Sequence, residues 1–215
     1  MNYKIIDIEN WKRKKHFNFF RKTTYPHYNL SINADITNFF FYAKEKKISL
    51  FRALLYLACR SANELPEFRQ RIQSENVVEY NTVSPSFTYM SENDELFGYC
   101  TVEYNPLWKE FDAEVALKLN EYKNKADMPE DAHRNDLLFI TCIPWFSFTN
   151  FVHTFNLNPV DTIPRIAWGK FFESENKILL PLSVQAHHSL IDGVHIGKYF
   201  KKFQDYCSTP SLIFN

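Results

Sequence analysis

Gln185-Ala186-His187-His188-Ser189-Leu190-Ile191-Asp192-Gly193 is where the chain turns from an apolar, strand-like run (Ile178 to Val184) into a helix-like one (Val194 to Cys207). Successive strand residues point to opposite sides. Of two adjacent histidines at such a junction, one can therefore face a cleft while the other packs behind. Asp192 stands where a helix N-cap would stand, and Gly193 permits the tight turn. Imidazole titrates near neutral pH, so a histidine here can accept a proton. Three readings are open: two structural histidines at a sheet end, a metal site, or a proton-transfer site. The metal reading fits least. His187, His188, Asp192 and His195 crowd together in sequence, but neighbouring strand histidines diverge, and no second His/Cys/Asp cluster completes a known geometry. No metal is expected. A neutral imidazole in a cleft can instead take the proton of a hydroxyl, a service worth roughly 10²–10⁴ in rate.

The 215 residues suit one domain, taken here as 1–215, and are enough to bury a sizeable core. Hydrophobic residues make up 45% and charged residues 23%, which excludes a disordered chain. The 21 Phe and 12 Tyr supply core and leave an excess for an apolar pocket or a subunit interface. Net charge is zero and no basic stripe stands out, so nucleic acid is not an expected partner. Lys12-Arg13-Lys14-Lys15 runs straight into Phe17, Phe19 and Phe20 and reads as the solvated face of an amphipathic helix. Cys59, Cys100, Cys142 and Cys207 are too scattered for a zinc site or a disulfide framework. No signal-peptide core and no bilayer-length apolar run is visible, so a soluble, cytoplasmic protein without a membrane partner is expected.

Hydrophobic period predicts a strand over 3–8, then a helix from Trp11 to about Arg21 capped by Asn10, with Trp11, Phe17 and Phe20 sharing a face. A strand over 28–36 follows, then a helix capped by Thr37 and reaching Lys47. Another, capped by Ser49, runs over 50–63 and is stopped by Pro66. Segments 76–82 and 87–104 read as strands around a loop rich in Ser, Asn, Asp and Glu, followed by a helix over 107–126, a mobile loop over 127–135 and a buried strand over 137–143. Segments 165–172 and 177–187 flank Glu173-Ser174-Glu175-Asn176, a hairpin signal. This order mixes strands and helices without strict alternation and predicts an α+β fold, a mixed sheet with helices packed on one side.

The motif Gln-x-His-His-x-x-x-Asp-Gly-x-His, here Gln185 to His195, resembles the active-site signature of the type A, trimeric chloramphenicol acetyltransferases. Asn10-Trp11-Lys12-Arg13-Lys14-Lys15-His16-Phe17 is similar to the family's N-terminal pattern. Asp35-Ile36-Thr37, Pro66-Glu67-Phe68-Arg69, Pro85-Ser86-Phe87-Thr88, Pro144-Trp145-x-x-Phe148 and Leu179-Leu180-Pro181-Leu182 follow in the family's order. The likeness covers nearly the whole chain.

The resemblance implies a CoA-dependent acyltransferase fold and a direct transfer of acetyl from acetyl-CoA, as co-substrate, to a hydroxyl of chloramphenicol or a similar small acceptor. It implies His188 as the general base, with no acyl-enzyme. Asp192 and Arg13 become a structural ion pair, and the active sites lie between the subunits of a homotrimer. The oxyanion donor, a serine in the family, falls on Thr141, which keeps the hydroxyl and adds a methyl group. Acceptor-lining positions fall on Phe20, Tyr28, Thr88, Phe97, Tyr99, Phe139, Phe151, His153 and Ala167. Several depart from the family: Phe20 stands where Tyr is common, Tyr99 is bulkier, Phe139 replaces a polar residue of one branch, and Ala167 stands where Thr is typical. Lost polar anchors loosen selectivity, so a relative acting on another hydroxyl acceptor is the alternative enzyme, and a non-catalytic ligand-binding relative is the alternative outside catalysis.

Overall fold

The computed structural model describes residues 2–92, 95–126, 128 and 134–214. The predicted 127–135 loop lies largely outside these. Among the described residues ten strands form two sheets. A small antiparallel sheet has the order β1-β4-β3, from β1 (Tyr3–Ile5), β3 (Gln70–Gln73) and β4 (Asn76–Tyr80). The large sheet has seven strands. Its path is β2 (His27–Asp35), β10 (Lys177–His187), β8 (Arg165–Gly169), β7 (Leu137–Ile143), β5 (Ser84–Met90) and β6 (Phe97–Thr101), with β9 (Phe172–Ser174) also on β10. β7 runs parallel to both β5 and β8, and the other pairs are antiparallel, so the sheet is mixed.

Strand alternation sorts this sheet into two faces. One carries Leu180, Leu182, Val184 and Ala186 of β10, Leu138 and Ile140 of β7, and Phe87 of β5. All are buried with residues of α2 (Thr37–Glu45), α3 (Leu50–Asn63) and α5 (Gly193–Ser208) in one core. The opposite face carries the register partners Thr88 and Tyr99, Thr141 and Ala167, Ala167 and Ser183, and Gln185 and Asn29. One face thus builds the core under the helices, and the other carries the hydroxyls and amides.

Several expectations shift. Asn10 does not cap the first helix: its amide donates to Asp7 Oδ2 at 2.7 Å. Turns at Trp11 and Lys14 delay α1 to Lys14–Phe20. Trp11 packs on Phe17, while Phe20 turns to stack on His188. Thr37 is the first helical residue of α2 and not its cap; its N–H and hydroxyl both donate to Asp35 Oδ1, at 3.0 and 2.6 Å. Ser49 does cap α3, with Oγ accepting from Arg52 N. Pro66 opens a 3₁₀ turn, Pro66–Arg69, leading into β3, a strand that the sequence reading missed. The 87–104 stretch holds parts of two strands around a polar loop, as expected, and these, β5 and β6, pair antiparallel. The 165–172 stretch divides into β8 and β9. The hairpin turn is Glu175-Asn176, both at positive φ (49° and 64°), and β9 is the strand that leads into it. α4 spans Trp108–Tyr122.

Candidate active site

β10 ends at His187, and the next residues fold into a turn held by Leu190 and Ile191 N–H donating to His187 O at 3.0 and 3.1 Å. His187 is buried, and its Nδ1 accepts the Ser189 N–H at 3.2 Å. Burial, then the neighbouring His27, lowers its pKa to about 3. It is a neutral packing residue.

His188 sits differently. Its N–H donates to Pro26 O at 2.9 Å. Its ring lies flat on Phe20, with centroids 3.8 Å apart and planes 11° apart, and the Tyr28 ring tilts against it at 4.6 Å. Tyr28 is fixed in turn by its hydroxyl, which donates to Ile191 O at 3.1 Å. His188 Nδ1 lies 3.1 Å from Asp192 Oδ1, without the alignment of a hydrogen bond.

Asp192 occupies the N-cap position of α5. Its carboxylate is taken by the fork of Arg13, whose Nη1 and Nη2 donate to its two oxygens. The same guanidinium donates from Nε to Ser189 O and from Nη2 to His188 O, each at 2.7 Å. One planar cation therefore ties the carboxylate and two carbonyls of the turn together. Arg13 holds the Asp192 carboxyl below its ordinary pKa.

Thr141 lies elsewhere. It stands on β7 at the meeting of two cavities that also share Tyr99. One, of about 470 Å³, is bordered by Phe139, His153, Phe155, Arg165 and Asp161. The other, of about 550 Å³, is largely apolar, with Phe51, Thr88, Phe97, Cys142 and Trp145. Burial raises the Cys142 thiol to about 11, so it is no thiolate beside Thr141. His153 is lowered to about 4 by burial and then by Arg165. Arg165 pairs with Asp161 and lies over the Phe139 ring, 5.1 Å from its centroid.

The residues named from sequence thus fall into two groups. Arg13, Phe20, Tyr28 and Asp192 gather at His188. Thr88, Phe97, Tyr99, Phe139 and His153 gather at Thr141. Ala167 is the register partner of Thr141 but is fully buried. Phe151 meets His153 edge-on at 4.7 Å, and its carbonyl accepts from Asn29 and Ser183. His188 lines neither cavity at Thr141. The register gives the separation. Thr141 is level with Ala167, and Ala167 with Ser183. His188 therefore lies two strands across and five residues along, roughly 20 Å away at ordinary strand spacings.

Gln185 and Glu67 also hold places at the site that no role read from the sequence announces. Gln185 Oε1 accepts the His153 N–H at 2.7 Å, so it pins the chain beside the polar cavity. Its place in the histidine motif was the available signal. Glu67 Oε1 lies 3.5 Å from His195 Nε2.

The family model for chloramphenicol acetyltransferase matches residues 1–204. The chain belongs to the chloramphenicol acetyltransferase family. It is 31% identical over 208 residues to a chloramphenicol acetyltransferase of Escherichia coli, covering 95% of this chain and 94% of that one. It is 27% identical over 214 residues to chloramphenicol acetyltransferase 3 of the same organism, covering 97% and 99%. A solved chloramphenicol acetyltransferase superposes with a TM-score of 0.89 at 29% identity, covering 95% of this chain and 99% of the other. The dihydrolipoamide acetyltransferase of Azotobacter vinelandii shares the fold at a TM-score of 0.69 and 18% identity. This chain's fold is accordingly that of the CoA-dependent acyltransferases, as the sequence predicted. Among the described residues no helix is long and apolar enough to cross a membrane.

Proposed function

We propose that this chain, as one acyltransferase domain over 1–215 in the cytoplasm, moves acetyl from acetyl-CoA to a hydroxyl of chloramphenicol or a similar small acceptor. The observation that carries the reading is the His188 ring. It is stacked between Phe20 and Tyr28 on a turn clamped by Arg13. A base needs a fixed ring at a reachable surface. His188 takes the acceptor's proton as the hydroxyl oxygen forms a bond to the thioester carbonyl carbon. The carbonyl oxygen becomes an oxyanion and accepts the Thr141 hydroxyl proton as a hydrogen bond, an interaction worth roughly 3–4 kcal/mol at the transition state. The intermediate collapses by breaking the C–S bond, and the CoA thiolate takes the proton back from His188. Acceptor and thioester reach Thr141 from the two cavities that meet there, which suits a ternary complex.

The hydroxyl that the base deprotonates and the oxyanion that Thr141 meets belong to one tetrahedral intermediate, so base and donor must lie within several ångströms of each other. The roughly 20 Å between His188 and Thr141 in one chain, set by strand spacing, supports an active site that one copy does not complete. We infer that a neighbouring copy supplies the other half. In a trimer, each base then faces the Thr141 cavity of the next subunit.

The test is chloramphenicol-dependent release of free thiol from acetyl-CoA, with His188→Ala alongside. Release that is lost in the variant is expected. Release with other hydroxyl acceptors only would move the acceptor assignment, and drug-dependent release by His188→Ala at the wild-type rate would overturn the base.

A further inference from the structure

His195 belongs to the histidine motif but touches none of the reacting groups. It is the third residue of α5, where Glu or Gln commonly closes a capping box by reaching back to the N-cap N–H. Here an imidazole takes that place. His195 Nδ1 accepts the Asp192 N–H at 2.9 Å, and the His195 N–H donates to Asp192 O at 2.9 Å. A ring nitrogen that accepts carries no proton, so the proton is on Nε2. That nitrogen lies 3.5 Å from Glu67 Oε1, and both side chains are mostly buried. Glu67 stands in the 3₁₀ turn Pro66–Arg69. A link therefore runs from this turn, through the imidazole, to the backbone of Asp192.

We infer that His195, oriented by Glu67, is a positioning residue for the base: it fixes the Asp192 backbone while Arg13 fixes the Asp192 carboxylate. The two constraints together set where Oδ1 meets the His188 ring. The inference rests on His188 being the base. Burial lowers the His195 pKa and keeps the Nδ1 lone pair available near neutral pH. Glu67 and Asp192 favour its charged form, Arg13 and Lys198 oppose it, and Lys12 and His16 border the same shallow cavity.

The experiment compares kcat and KM of wild type, His195→Gln, His195→Leu, Glu67→Ala and His188→Ala in the thiol-release assay, with thermal melts. His195→Gln should stay within about 3-fold of the wild-type kcat, because its amide oxygen closes the same box. His195→Leu should lose about 10–100-fold in kcat with KM for both substrates little changed, the mark of a misplaced base. Glu67→Ala should lose less, and should add nothing in a His195→Gln background; this pair carries the test if the leucine variant does not fold. Equal kcat for the Gln and Leu variants, or a loss confined to KM, would overturn the inference alone. A wild-type rate in His188→Ala would overturn the base assignment and this inference with it.

Discussion

Arg13→Ala removes the clamp on the base-bearing turn, and its cost can be worked from the contacts. The guanidinium makes four hydrogen bonds across the chain, two to Asp192 and one each to the carbonyls of His188 and Ser189. Breaking a buried ion pair by removing one partner costs about 3–5 kcal/mol. The Arg13 side chain is 11% exposed and that of Asp192 27%, so water reaches part of the site, and about 2–4 kcal/mol is expected. For a chain of this length that is a fall of roughly 5–15 °C in Tm, compared at one protein concentration because assembly contributes. The turn also loses its hold on His188, so kcat should fall about 10²-fold. Arg13→Lys keeps charge but not the fork, and should recover only part of either loss. The sign with pH follows from Asp192, whose folded pKa is depressed. The contribution is present above the unfolded carboxyl value, about 3.9, and is lost as pH falls through the folded pKa. Wild type and Arg13→Ala should therefore converge in stability at strongly acid pH. The decisive assay is a double-mutant cycle with Asp192→Ala, read by chemical denaturation and by kcat. A coupling of about 1–3 kcal/mol is expected for groups in one network. Additive losses would refute the claim that the two side chains act as one brace.

Other outcomes follow from the same geometry. Thr141→Val should lower kcat by about 10²–10³ with KM little changed, and Thr141→Ser should keep most activity, because the hydroxyl is the working group. Phe20→Ala removes one face of the stack on His188; aromatic pairing of about 0.5–1.5 kcal/mol translates into a kcat loss of up to about 10-fold, measured with the melting temperature unchanged or slightly lowered. His187 is held neutral, with a pKa of about 3, well below the unfolded value of about 6.5. The unfolded chain binds the extra proton between these values, so stability falls as pH drops through that window. His187→Gln, which cannot titrate, should flatten this loss in melts from pH 7 to pH 4.

Much of the fold was readable because some segments have one solution. β7 and β10 match their predicted ranges, β7 because its short apolar run lies between a polar segment and Pro144 and β10 because the Glu173-Ser174-Glu175-Asn176 turn signal marks its start, and α3 matches because Ser49 marks its start. β3 was hidden because its buried residues are polar, Gln70 and Arg71, the Arg71 charge being satisfied by the carbonyls of Phe68, Gln70, Asn135 and Leu137. No local pattern announces an arginine buried in part by the carbonyls of Asn135 and Leu137, more than sixty residues away. The start of α1 was misplaced because Asp7 captures Asn10 before a helix can begin there. At the site, the turn around His188 was legible as a spacing. Its partner Arg13 became legible only through the likeness to a family. The gap between His188 and Thr141 was not legible, because it depends on strand order and register, which no short motif encodes.

That gap makes the central claim directly testable by mixing two crippled chains. His188→Ala and Thr141→Val are each expected to be nearly inactive alone. Co-expressed with different tags and purified as mixed assemblies, they should regain activity, because some interfaces join an intact base to an intact Thr141 cavity. A closed ring of three that holds both chains joins an intact base to an intact Thr141 cavity at one interface, about a third of the wild-type sites. Mixed assemblies no more active than the separate variants, or a monomer that is fully active, would contradict a site shared between subunits.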